Sequence, residues 1–76
     1  MKIFKLNTEY IELCQLLKVC GPVGSGGEAK LLITNGEVQV DGQVEHRKKC
    51  KIRAGQQVDV GPLSISVEPA EHKSTL

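Results

Sequence analysis

One stretch constrains the fold more than any other: Ser25–Gly42, SGGEAKLLITNGEVQVDG. Ser25 is a natural helix N-cap, and Glu28 three residues on completes the spacing of a capping box. The chain from Gly26 to Thr34 then reads as a helix with Ala29, Leu32 and Ile33 facing inward. Asn35-Gly36 stops it, because either residue tolerates the left-handed backbone of a helix C-terminus. Val38 and Val40 alternate with Glu37 and Gln39 as a half-buried strand. Asp41-Gly42 is a strong two-residue hairpin signal. A helix, a stop, a strand and a turn placed so closely leave the rest of the chain few ways to return.

The flanks supply the partners. Lys2–Leu6 (KIFKL) reads as a short strand. Asn7 and Thr8 are candidate caps for a first helix, and Glu9 and Glu12 suit its N-terminus. Leu13, Leu16, Leu17 and Cys20 fall on one helical face. Tyr10-Ile11 also fit an extended backbone, so the start falls between Glu9 and Leu13. Gly21-Pro22 ends the helix. After the hairpin turn, Val44 begins a return strand. The block His46–Arg53 (HRKKCKIR) breaks the alternation and reads as a long exposed loop anchored by Ile52. Ala54-Gly55-Gln56 is a turn. Val58 and Val60, then Leu63, Ile65 and Val67, alternate with polar residues around Gly61-Pro62 as a closing hairpin. The predicted fold class is α+β: two consecutive helices packed on a small, mainly antiparallel sheet. Residues 1–68 form one domain and residues 69–76 a flexible polar tail.

Size argues against catalysis. A chain of 76 residues buries only about 60% of its unfolded surface, which leaves little room for a cleft beside the core. The glycines do not make a nucleotide loop. Gly21 and Gly26 enclose four residues as a P-loop would, but Gly27 stands where the lysine is needed. Ala29 stands at the third glycine of a dinucleotide fingerprint, and no buried strand leads into the loop as that fingerprint requires. Ser25, His46 and Cys50 are nucleophile or base candidates by type alone, and His46 has only Glu45 nearby to orient it. Neither catalysis nor a cofactor is expected.

Three cysteines without a close pair give neither a disulfide framework nor a zinc signature. Together with the lack of a signal-like opening segment, they predict a reduced, cytoplasmic protein. Cys14 and Cys20 read as packing residues on the first helix. Cys50 lies among Lys49, Lys51 and Arg53, which favours its thiolate and raises a redox role as a further possibility. No apolar run approaches the ~20 residues of a membrane span, and there is no amphipathic lipid-binding helix, so no membrane role is expected.

The formal net charge is only +1, but its distribution is uneven. Arg47, Lys48, Lys49, Lys51 and Arg53 crowd into the basic block with no acid among them. Such a block neutralises phosphates, arginine by bidentate contact and lysine as a point charge. A solvated loop is the bland alternative. The Ser25-Gly26-Gly27 helix start exposes backbone N–H groups suited to an anion, with Lys18 and Lys30 flanking it. There the bland alternative is a cap and a bend. Trp is absent, and Tyr10 and Phe4 are the only aromatics. That argues against a base-stacking platform and, for a nucleic-acid partner, for recognition by shape rather than sequence.

The ordered set Leu13, Leu16-Leu17-Lys18, Gly21, Ser25, Glu28-Ala29-Lys30, Ile33, Gly36, Val38, Val40, Asp41-Gly42 and Gly55 resembles the S4 RNA-binding domain, or αL motif. Ser25-Gly26, Ala29-Lys30, Glu45, Arg47-Lys48, Cys50-Lys51-Ile52 and Gly55-Gln56 further resemble the small stand-alone bacterial S4 proteins, the YbcJ-like group. The resemblance implies non-catalytic binding of structured RNA through the two helices and the adjoining loop. By analogy it implies ribosomal RNA and a ribosome-associated role; a monomer in the cytoplasm with no small-molecule substrate is expected besides. Many S4 domains carry Arg where this chain has Gly26, and Arg and Asp near the first helix where it has Glu12 and Cys14. The expected RNA-binding set is therefore Lys18, Ser25, Gly26, Gly27, Lys30, Arg47, Lys48, Lys49, Lys51 and Arg53, weighted toward Lys30 and the basic block. An adaptor that docks its basic patch on an acidic protein is the alternative function.

Overall fold

A computed structural model describes residues 2–21 and 23–70. In chain order the elements are β1 (Lys2–Leu6), β2 (Ile11–Glu12), α1 (Leu13–Cys20), α2 (Gly26–Thr34), β3 (Val38–Val40), β4 (Gln43–Val44), β5 (Lys51–Ile52), β6 (Gln57–Val60) and β7 (Leu63–Pro69). Five strands form one sheet in the order β1-β7-β6-β3-β4, and β2 and β5 form a separate two-stranded ladder. Every pairing is antiparallel except β1 with β7. The α+β expectation holds, with one parallel pair at the sheet edge.

The core lies between the helices and the sheet. Leu13, Leu16 and Leu17 enter from α1, Ala29 and Ile33 from α2, and Val38, Val58, Val60, Ile65 and Val67 from the sheet. Val40 faces Val58, which faces Ile65, so period-2 alternation on three strands builds one apolar face. Each fully buried Leu, Ile or Val contributes about 1.5–3 kcal/mol by leaving water.

The Ser25–Gly42 stretch folds as its local signals predict. Ser25 Oγ accepts the Glu28 N–H at 3.4 Å. The Glu28 carboxylate reaches back, though to the N–H of Gly24 (2.9 Å) rather than that of Ser25. Asp41 and Gly42 both take positive φ, 53° and 87°, as a hairpin matched to right-handed strand twist requires. Gly21 stands where α1 ends, and a Cβ there would lie 2.5 Å from the Leu17 carbonyl oxygen, which favours glycine at this position.

Two expectations need correction. Asn7 and Thr8 do not cap α1. Thr8 instead donates its hydroxyl to the Tyr10 carbonyl at 2.9 Å. The helix starts at Leu13, and Glu12 at the cap position makes no side-chain bond. The reason is tertiary: the carbonyls of Cys50 and Lys48 accept the N–H groups of Leu13 (2.9 Å) and Cys14 (3.0 Å). Donors that a local cap would satisfy are taken by the basic block.

For the same reason the basic block is not one long loop. It contains a tight turn, closed by Cys50 N–H donating to the Arg47 carbonyl at 3.1 Å, and then strand β5. At the C-terminal end, β7 runs through Pro69 opposite Leu6, and the Ala70 N–H donates to the Leu6 carbonyl at 2.8 Å. The remainder of the expected tail lies outside the described residues.

Candidate nucleic-acid interface

The basic block divides its groups between two directions. Its carbonyls at Lys48 and Cys50 point inward to α1. Ile52 is fully buried and pins β5 to the core. Strand alternation then turns Lys51 outward, and Lys48 and Lys49 form the exposed tip of the turn. Together with Arg47 and Cys50, these lysines line a shallow recess of about 630 Å³. Among the described residues, no carboxylate lies within 4.0 Å of Lys48, Lys49 or Lys51.

Arg47 is differently engaged. Its Nε donates to Glu45 Oε2 at 2.9 Å and its Nη2 to Oε1 at 3.4 Å, while its backbone N–H donates to Oε2 at 3.0 Å. The Glu45 side chain is only 19% exposed, against 78% for Arg47. The Arg47 side-chain hydrogen bond, followed by its backbone hydrogen bond, pulls the Glu45 carboxyl from 4.5 to about 2. Much of the donor fork that a phosphate would use is thus already directed at a carboxylate, and the pair orders the approach to the turn.

Arg53 lies 3.9 Å from Glu9 across an exposed gap. Its guanidinium also sits 5.9 Å from the centre of the Tyr10 ring, and Lys51 Nζ sits 5.0 Å from it. Tyr10 was absent from the expected set. The available signal was the extended reading of Tyr10-Ile11. Once Ile11 pairs with Ile52, antiparallel register brings Tyr10 beside Arg53, and that pairing cannot be read from either segment alone.

The Cys50 thiolate expectation fails. Burial pushes the Cys50 thiol above its ordinary value, and the neighbouring Glu45 carboxylate pushes it further. Proximity in sequence to lysines did not translate into proximity of their charges, because the turn directs them outward. Cys14 and Cys20 pack against the core as expected, and burial raises the Cys20 thiol as well.

The second expected grip, at the start of α2, is more self-contained. Ser25 Oγ takes one first-turn N–H, and the Glu28 carboxylate sits at the same helix end. The Lys18 side chain passes over this end: a Cβ on Gly26 would lie 3.8 Å from Lys18 Cδ. Lys30 is exposed, one turn beyond Gly26 and Gly27. Lys18 also follows Cys14 by one turn on α1, and Cys14 is bonded to Lys48. The basic turn therefore sits at the N-terminal end of α1, and Lys18, further along the helix, reaches the start of α2. The structure sets the ten expected residues in two groups along that helix.

Two short helices on a small mixed sheet, with a basic segment clamped to the first helix, define an S4-type module. The S4-domain family model matches residues 4–68, and the chain belongs to that family. It is similar to YbcJ of Escherichia coli K12, with 52% identity over 68 residues that cover 88% of this chain and 97% of that protein. YbcJ of Shigella flexneri matches with the same identity and coverage. The solution structure of E. coli YbcJ is described as revealing an αL motif involved in RNA binding. It matches this fold with a TM-score of 0.71 at 48% identity, covering 90% of this chain and 87% of that one. The resemblance read from the sequence is borne out.

Proposed function

We propose that this chain is a small, non-catalytic RNA-binding protein that holds structured RNA mainly by its phosphates. One observation carries the reading. The backbone of the basic turn is clamped to α1 while the side chains of Lys48, Lys49 and Lys51 remain unpaired among the described residues. A turn fixed before binding loses less conformational freedom on binding, so three lysines carried on a held backbone suit a folded RNA. Arg53 extends this surface, and Arg47 orders it. Lys18, Lys30 and the N–H groups of Gly26 and Gly27, beside Ser25, form a weaker second contact along α1. Ribosomal RNA in the cytoplasm is the target this reading adopts, by analogy alone.

A salt titration against structured RNA and duplex DNA tests this. RNA affinity should fall linearly on a log–log plot with a slope of about −0.7 to −0.9 per phosphate contacted, and so roughly −2 to −4 in all. It should collapse in the combined variant Arg47→Ala/Lys48→Ala/Lys49→Ala. Absence of RNA binding at low salt would sink the proposal. In that case, salt-sensitive capture of an acidic protein would favour the adaptor function.

A further inference from the structure

We propose that the outward face of the β2–β5 ladder is a stacking subsite for one unpaired nucleobase, with Tyr10 as its platform. This deepens the RNA-binding reading and rests on it. Ile11 pairs with Ile52 and Glu12 with Lys51. Ile52 is fully buried, so alternation sends Tyr10, Glu12, Lys51 and Arg53 to the opposite, outward face. Tyr10 as a residue is 36% exposed. Lys51 Nζ at 5.0 Å and Arg53 Cζ at 5.9 Å from the ring centre lie over the ring, and both side chains are exposed, so a base that stacks there displaces them from the ring toward its own phosphates.

The surroundings suit a base better than a phosphate. Beside Tyr10 lies an open recess of about 600 Å³ whose rim includes Glu9, Glu12 and Gln15. Carboxylates repel a phosphate, but they accept N–H groups from a base edge. An aromatic face offers stacking to any base. The phosphates flanking a stacked base would meet Lys51 and Arg53. Lys51 also lines the recess of the basic turn, so the base site and the phosphate surface are continuous. Too few aromatics for an extended platform does not exclude a platform for one base.

Tyr10 is the only tyrosine and there is no tryptophan, so the intrinsic fluorescence of the protein reports on this one ring. The test compares an RNA hairpin bearing an unpaired loop with a blunt RNA duplex of equal phosphate count. The hairpin should quench the tyrosine emission of the wild-type protein, and the duplex should not. Tyr10→Leu should weaken hairpin binding roughly tenfold more than duplex binding, whereas Tyr10→Phe should bind the hairpin like wild type. If both RNAs bind while the tyrosine emission stays unchanged, the subsite is wrong and the phosphate reading stands. If neither RNA binds, both readings fall. The fluorescence arm needs no substitution, so a misfolded variant does not affect it.

Discussion

The basic turn and the start of α2 carry the same kind of feature, backbone and cations suited to a phosphate, yet they spend their groups differently. In the turn, backbone carbonyls bind inward to α1 and the lysines are left outward and unpaired. At α2, the first-turn donors are partly satisfied by Ser25, and the Glu28 carboxylate brings negative charge to the end where an anion would sit. The lesson is that charge or exposed N–H groups alone do not measure a binding surface. What counts is what remains after the fold has satisfied its own groups.

The largest expected effect tests the anchor of that contrast. Ile52→Ala removes the buried side chain that pins β5 and should cost about 2–5 kcal/mol of stability, read by denaturant unfolding. RNA binding should fall with it. A variant that unfolds more easily yet binds RNA normally would show that the clamp on α1 suffices.

Next is Lys48→Ala/Lys49→Ala, which leaves the inward carbonyls in place. It should lower RNA affinity by roughly 10- to 100-fold and flatten the salt slope by about 2, with unfolding unchanged. An unchanged slope would break the comparison in favour of α2.

Ser25→Ala should do the reverse. Loss of the cap should cost about 1 kcal/mol of stability while RNA affinity moves little. A large loss of affinity would place the main grip at α2 instead.

The smallest effect concerns Glu45. Its folded carboxyl titrates near 2, below its ordinary 4.5. The pair with Arg47 therefore stabilises fully above the unfolded value and is lost as pH falls through about 2. A carboxyl-carbon NMR titration should find this midpoint, and an ordinary one would dissolve the pair. Because Arg47 is so engaged, Arg47→Ala should weaken RNA binding less than either Lys48→Ala or Lys49→Ala.

Much of this was legible in the sequence. The α2 boundaries, the Asp41-Gly42 turn, the closing hairpin and the inward leucines of α1 all follow from signals within a few residues. The S4 family and the presence of a basic block were legible for the same reason. The start of α1 was not, because its first donors are satisfied by carbonyls from a segment more than thirty residues away. The environment of Cys50 was misread for a related reason: sequence neighbours on a turn can point away from one another. The cations over the Tyr10 ring were not legible because they arrive across a ladder between distant strands.

The sequence by itself determined the elements whose signals are local: caps, stops, turns and periodicities. Each depends on a few dihedrals and on side chains three or four positions apart. Only the tertiary structure decided which groups of the Ser25–Gly42 scaffold and the basic block stay free to bind. That depends on long-range pairing, of β2 with β5 and of α1 with the turn, which consumes some donors, acceptors and charges and leaves others in water.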